Sequence, residues 1–272
     1  MVKKEGRFYS LSKFQNIVNC SMFRHSILSF LITIGLYSQN NNFVGVFDDN
    51  DNVMTVEVPV KFDIVEGYPS VDELDKNAVR FFNLATLNIY DNPKNAIRHF
   101  INAINIDPNF VQAYDNLGKA YRMIENYDEA IKCYTISSKI FPNGSYSRIN
   151  LGVLYAIQNK WDKSIQEYEI AIKLNPNNPE AYYGISNSYK GLGKLTDALK
   201  NALFALELYE KNPPNYIGDS YAQVGILFYN LGMKDTAKEY VLEAKKRYIE
   251  NNLSDVFYNT FSNSTLKDLS IY

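Results

Sequence analysis

Residues 114–142 read YDNLGKAYRMIENYDEAIKCYTISSKIFP, and residues 148–176 read RINLGVLYAIQNKWDKSIQEYEIAIKLNP. Laid over one another at a step of 34, they align Leu117-Gly118 and Tyr121 with Leu151-Gly152 and Tyr155, and more loosely with Ile185-Ser186 and Tyr189. The step extends outward from this pair. Pro108, Pro142 and Pro176 keep it, as do Ala96, Ala130, Ser164 and Ala198, and Ala103, Ser137, Ala171 and Ala205. A fixed period of this size marks an array of supersecondary units, each unable to bury its apolar face alone. Five units follow: 77–110, 111–144, 145–178, 179–217 and 218–251. The fourth is five residues longer, since Tyr189 to Phe228 is 39, and Pro213-Pro214 marks the insertion.

The pattern resembles the tetratricopeptide repeat family, whose unit carries a large residue, Leu-Gly, an aromatic, A-x3-F and a proline over 34 positions. The second unit matches it best, through Tyr114, Leu117, Gly118, Tyr121, Ala130, Tyr134 and Pro142; the first is degenerate, with Asn83-Leu84 in place of Leu-Gly. The resemblance implies an all-α fold, a right-handed superhelix of helix pairs over residues 71–251. Small residues at Gly118, Gly152 and Gly225 let paired helices approach, and Ala103, Ala171, Ala205 and Ala244 do so between units. Ser70-x-x-Glu73 is a capping-box pattern for a helix start. Residues 252–272, with Val256, Phe257, Phe261, Leu266 and Leu269, are expected to cover the last repeat.

Outside the repeats the sequence changes character. Ile27 to Tyr37 is an apolar run of eleven residues, too short for a bilayer span of roughly 20 and suited to a signal-peptide core. Residues 1–38 therefore read as an export signal cleaved after Ser38, and Met22 gives a more compact start than Met1. Retention of the segment would make it a membrane anchor instead. In residues 39–70, Met54, Val56, Val58, Val60, Phe62 and Ile64 alternate with polar or smaller neighbours, predicting a strand that pairs with Phe43–Phe47 across Asp48 to Asn52. Pro59 places that strand at an edge. The acidic turn is no calcium loop, because Val53 stands where the motif needs glycine and Pro59 where it needs glutamate.

Composition narrows function by exclusion. Of 28 basic and 30 acidic residues, five and one lie in residues 1–38, leaving 23 against 29 and a net charge of -6. An acidic body is poorly suited to a phosphate backbone, which argues against nucleic acid. Beyond residue 38 there is one cysteine, Cys133, and one histidine, His99; they stand 34 apart, in adjacent repeats, where stacked helices hold them beyond hydrogen-bond reach. They build no metal centre either, and no cofactor is implied. Gly191-Leu-Gly-Lys-Leu-Thr196 lacks the spacing of a phosphate loop and falls at an inter-helix turn. Asn143, Asn252 and Asn263 begin glycosylation triplets.

The reading left is a non-catalytic protein-binding module or assembly scaffold. In the family it resembles, the first helix of each unit lines a concave groove and positions two, five, six, nine and twelve contact a peptide. Carried over, these are Gln112, Asp115, Asn116, Lys119 and Arg122; Tyr146, Ile149, Asn150 and Val153; Glu180, Tyr183, Asn187 and Lys190; and Asp219, Gln223 and Ile226. Asn116, Asn150 and Gln223 share position six, where related proteins hold a peptide backbone with amides. The chaperone-binding branch uses a lysine- and asparagine-rich clamp, but Phe81, Ala85, Tyr146 and Gly184 occupy clamp positions here. A cytoplasmic or membrane-tethered adaptor, and an accessory subunit of an enzyme, are the rival readings.

Overall fold

The computed structural model describes residues 2–4, 7–9, 43–47, 53–57 and 74–271, apart from 212 and 215. These fall into two compact units, divided after Ile64. In the first, β1 (Val2–Lys4), β2 (Arg7–Tyr9), β3 (Phe43–Phe47) and β4 (Val53–Glu57) form an antiparallel sheet in the order β2-β1-β4-β3. The β3–β4 register runs from Phe43↔Glu57 to Phe47↔Val53. One expectation is corrected. Residues of β4 pair on both sides, with β1 and β3, so this strand is interior; alternation reports which face is covered, not how many neighbours a strand has. Strands β1 and β2 lie within residues 1–38, where three residues apiece are too few to show an alternation. Residues 58–64, Pro59 included, the apolar run 27–37 and the Ser70–Glu73 capping box lie outside the described residues.

The second unit is all-α. Its helices are α1 (Lys76–Asn88), α2 (Pro93–Ile106), α3 (Val111–Met123), α4 (Tyr127–Ile140), α5 (Ser145–Ile157), α6 (Trp161–Leu174), α7 (Pro179–Gly191), α8 (Leu195–Lys211), α9 (Ile217–Asn230), α10 (Lys234–Glu250), α11 (Ser254–Thr260) and α12 (Asn263–Asp268). Each packs chiefly on its neighbours in the chain, as a solenoid requires, and the first helices α5 and α7 also touch directly. Side-chain caps fix several starts: Asp75 accepts from the amides of Asn77 and Ala78, Asn92 from Asn95, and Asn178 from Glu180, the last two with proline at the first helical position. The turn inside each of repeats two to five needs one left-handed residue, supplied by Glu125 (φ 60°), Asn159 (56°), Gly193 (73°) and Gly232 (79°). Only the two glycines adopt it without a steric cost.

Aromatic rings packed on glycine set the spacing inside repeats two and three. A Cβ on Gly118 would lie 2.8 Å from the Tyr134 ring, and one on Gly152 equally close to Tyr168, so both positions must lack a side chain. Tyr168 is held from its other side by Gly184 of the next repeat. Ser164, standing in the alanine row, is fully buried and satisfied: its hydroxyl lies 2.7 Å from the Gly152 carbonyl and 2.8 Å from Ser188 Oγ.

Proline decides where the second helices stop. Asp107, Phe141 and Asn175 precede Pro108, Pro142 and Pro176 and leave helical geometry, ending α2, α4 and α6 after 14 residues each. The equivalent positions in repeats four and five are Glu210 and Ile249, so α8 and α10 run on to 17 residues. Tyr209 and Tyr248 open that extra turn, and both are buried. At the far end, Phe257, Phe261, Leu266, Leu269 and Ile271 close over repeat five in one core with Tyr248 and Leu227, while Val256 stays at the surface. Asp268 latches this cover to the last repeat through Tyr229 (2.9 Å) and Lys234 (2.8 Å).

Candidate functional site

Each groove residue named from the sequence is buried or half-buried, although most are polar. They lie at spacings of three and four along α3, α5, α7 and α9, which puts them on one face of each helix. A bond from Gln223 Nε2 to the Tyr183 carbonyl (3.3 Å) ties α9 to α7 across this face. Gln112, Asp115, Asn150 and Gln223 are among the most buried polar side chains of the protein.

The position-six amides behave differently from the simple expectation. Asn116 Nδ2 donates to the Gln112 carbonyl (2.9 Å) and Asn150 Nδ2 to the Tyr146 carbonyl (3.0 Å), each one turn back on its own helix. One N–H and the side-chain carbonyl of each amide remain for a partner. The row is also interrupted: position six of repeat four is Gly184, where a Cβ would fall 2.4 Å from the Tyr168 hydroxyl. Lys119 is engaged by Tyr90, donating to its hydroxyl at 2.7 Å and standing 4.8 Å from its ring. Arg122 and Lys190, at position twelve, form no ion pair among the described residues. Burial pushes the Lys190 ammonium below the ordinary lysine range. Glu180 and Asp219, at position two, lie at the N-terminal ends of α7 and α9, as the helix dipole favours.

Those two carboxylates belong to a small cleft lined by Glu180, Tyr183, Tyr209, Tyr216, Asp219 and Ser220. Tyr216 donates to Glu180 Oε1 at 2.8 Å and Tyr248 donates to Asp219 Oδ1, while Tyr209 lines the cleft beside Glu180. Tyr209 stands to Glu180 as Tyr248 does to Asp219, 29 positions away in each case, and Tyr248 donates to its carboxylate. Burial and the Glu180 carboxylate push the Tyr216 phenol up to about 12. Burial, then the bond to Asp219, likewise raises Tyr248, and burial with the Asp219 charge raises Tyr183. The hydroxyls therefore stay protonated and donating at neutral pH.

Models of tetratricopeptide repeats match residues 99–132 and 152–193. The chain carries tetratricopeptide repeats. Similar solved structures include MamA from residue 41 onward, from Desulfovibrio magneticus RS-1, at 16% identity and a TM-score of 0.56, covering 65% of this chain and 98% of that one. The APC/C hetero-tetramer Cut9-Hcn1 aligns at 16% identity and a TM-score of 0.58, covering 73% of this chain and 43% of its own. At such identities the likeness is one of fold. No curated protein matches the sequence.

Within this tetratricopeptide framework, the two residues with nucleophile chemistry are ordinary helix residues. Cys133 is buried on α4, and desolvation drives its thiol up to about 12, the reverse of an activated thiolate. His99 stacks on Phe81 with ring centroids 6.1 Å apart, and burial lowers its pKa. Among the described residues no three His, Cys, Asp or Glu side chains gather as metal ligands. Gly191 to Thr196 spans the α7–α8 turn, with Gly193 in the left-handed region. Sequence reasoning placed Glu180, Tyr183 and Asp219 in the groove but missed Tyr209, Tyr216, Ser220 and Tyr248. The signal for Tyr209 and Tyr248 was present, as the loss of the proline that ends the earlier second helices.

Proposed function

We propose that this protein is a non-catalytic binding scaffold that seats a peptide or partner helix along the face formed by α3, α5, α7 and α9. The observation that carries the reading is the polarity of that face. Repeat-equivalent positions on successive first helices hold half-buried amides, carboxylates and tyrosines, and Gln223 Oε1 and Ser220 Oγ are buried there without a hydrogen-bond partner. Polar atoms in that state cost stability, which a stacking surface does not require and a recognition surface repays on binding. The remaining N–H and carbonyl of Asn116 and Asn150 suit a peptide backbone, which needs both a donor and an acceptor.

The test is a photo-crosslinking residue placed at Val153, on the first-helix face, and separately at Ile170 on the second helix α6. Partner adducts are expected from Val153 alone; adducts only from Ile170 would move the site to the other face. Replacing Asn116 and Asn150 together by alanine should then weaken that partner at least about fivefold without changing the melting temperature, at roughly 0.5 to 1.5 kcal/mol per lost bond. The proposal includes export directed by Ile27–Tyr37, with a membrane-tethered adaptor as its rival. N-terminal sequencing of the mature protein separates them: a start at residue 39 supports export, and a chain keeping residues 22–38 supports the tether.

A further inference from the structure

The cleft between repeats four and five has two carboxylates and no cation. Among the described residues no lysine or arginine forms an ion pair with Glu180 or Asp219; the hydroxyls of Tyr216 and Tyr248 donate to them. Hydroxyl donors orient a carboxylate without neutralising it. Ser220 also lines the space, is 2% exposed, and its Oγ has no hydrogen-bond partner. The walls are phenol rings, with Tyr209 and Tyr216 edge to face at 6.1 Å and Tyr183 alongside.

We propose that this cleft is a binding site for the side-chain ammonium group of a lysine in the bound peptide, a refinement that rests on the groove reading above. The two carboxylates supply the countercharge, and the rings supply cation–π attraction and an apolar wall for the methylene stem. An ammonium carries three donors in a tripod, which the carboxylates of Glu180 and Asp219 and the unpartnered Ser220 hydroxyl can accept. A guanidinium fork is served less well. It matches two free oxygens of one carboxylate, and here Glu180 Oε1 and Asp219 Oδ1 are already held by tyrosines. A calcium ion takes six to eight oxygen ligands, more than this pair provides. Position two is Gln112 and Tyr146 in the repeats upstream, so the anionic pocket occurs once along repeats two to five and sets which residue of the peptide sits at this end.

The experiment titrates the full-length, isotope-labelled protein with acetyl-Gly-Gly-Lys-Gly-Gly-amide and follows backbone NMR signals. Saturable shifts are expected at Tyr216, Asp219 and Ser220. Acetylating the lysine Nζ should weaken binding at least tenfold, a change in the ligand that needs no variant to fold. Glu180→Gln and Asp219→Asn should each weaken it at least fivefold, and Ser220→Ala by about twofold or more. Equal binding of the acetylated peptide, or shifts confined to other repeats, would overturn the site. An arginine peptide binding as tightly would overturn the choice of an ammonium group, and calcium chloride moving the same signals at lower concentration would make it a metal site. The probe has no partner sequence, so its failure would leave the groove reading intact, whereas loss of the Val153 adducts would not.

Discussion

Repeats two and three and repeats four and five follow one plan, yet their second helices put tyrosine to opposite uses. In the earlier pair, Tyr134 and Tyr168 sit mid-helix and wedge into glycine-lined gaps, and the Tyr134 hydroxyl is buried without a partner. In the later pair those positions are Ala202 and Val241, and the tyrosines move two turns on, to 209 and 248. Tyr209 lines the cleft beside Glu180, and Tyr248 donates to Asp219. What separates the pairs is a single proline: where it follows the second helix, the chain turns; where it is absent, one more helical turn carries a phenol to the groove. A repeat array can thus gain a local cluster of tyrosines and carboxylates without altering its stacking.

The comparison can be broken at the ring itself. Tyr168→Ala should cost about 3 to 5 kcal/mol, because a ring buried between Gly152 and Gly184 leaves a cavity in two repeats at once. Chemical denaturation reads the loss, and hydrogen exchange should show repeats three and four loosening before repeats one and five. The proline can also be put back. Glu210→Pro imposes the earlier grammar on repeat four and should cost about 3 kcal/mol by ending α8 a turn early, removing the Glu210 contact to Tyr221 and shifting Tyr209 out of the cleft. Lost amide protection confined to the end of α8 and the start of α9 is the expected signature; unchanged protection there would deny the proline its role.

Smaller changes sharpen the contrast. Tyr248→Phe should destabilise by about 1.5 to 3 kcal/mol, the range for a hydrogen bond to a charged group. Tyr134→Phe, removing a buried hydroxyl without a partner, should be neutral or stabilising by up to about 1 kcal/mol. Equal losses from the two, measured by urea unfolding, would show that the hydroxyls do not distinguish the pairs. Smallest is Glu125→Gly, which gives repeat two the turn residue that repeats four and five already have; it should stabilise by about 1 kcal/mol, seen as a raised denaturation midpoint.

The sequence made the helical class legible because Leu117-Gly118, Leu151-Gly152 and the prolines report local needs: a close helix approach and a stop. The shared face of the first helices was legible by position, since equivalent residues recur on successive first helices. Its chemistry was not. That the amides of Asn116 and Asn150 would bond back along their own helices, and that Tyr168 would fill the place of Gly184, depends on contacts between helices that a repeat pattern does not spell out. Tyr209 and Tyr248 were hidden for the same reason, being 29 residues from their carboxylates. In the sheet, β4 advertised itself by alternation, whereas its partner β1 had only three residues with which to do so.

The cover of α11 and α12 settles a question of length. Solenoid repeats are by nature open-ended, and an uncovered last unit offers its apolar side to the first unit of another copy, which is how such arrays grow into fibres. Here Phe257, Phe261, Leu266, Leu269 and Ile271 already fill that side, and the Asp268 latch fastens them to Tyr229 and Lys234. Head-to-tail stacking on repeat five would first have to peel this cover away, because α11 and α12 already occupy the apolar side that a further unit would need.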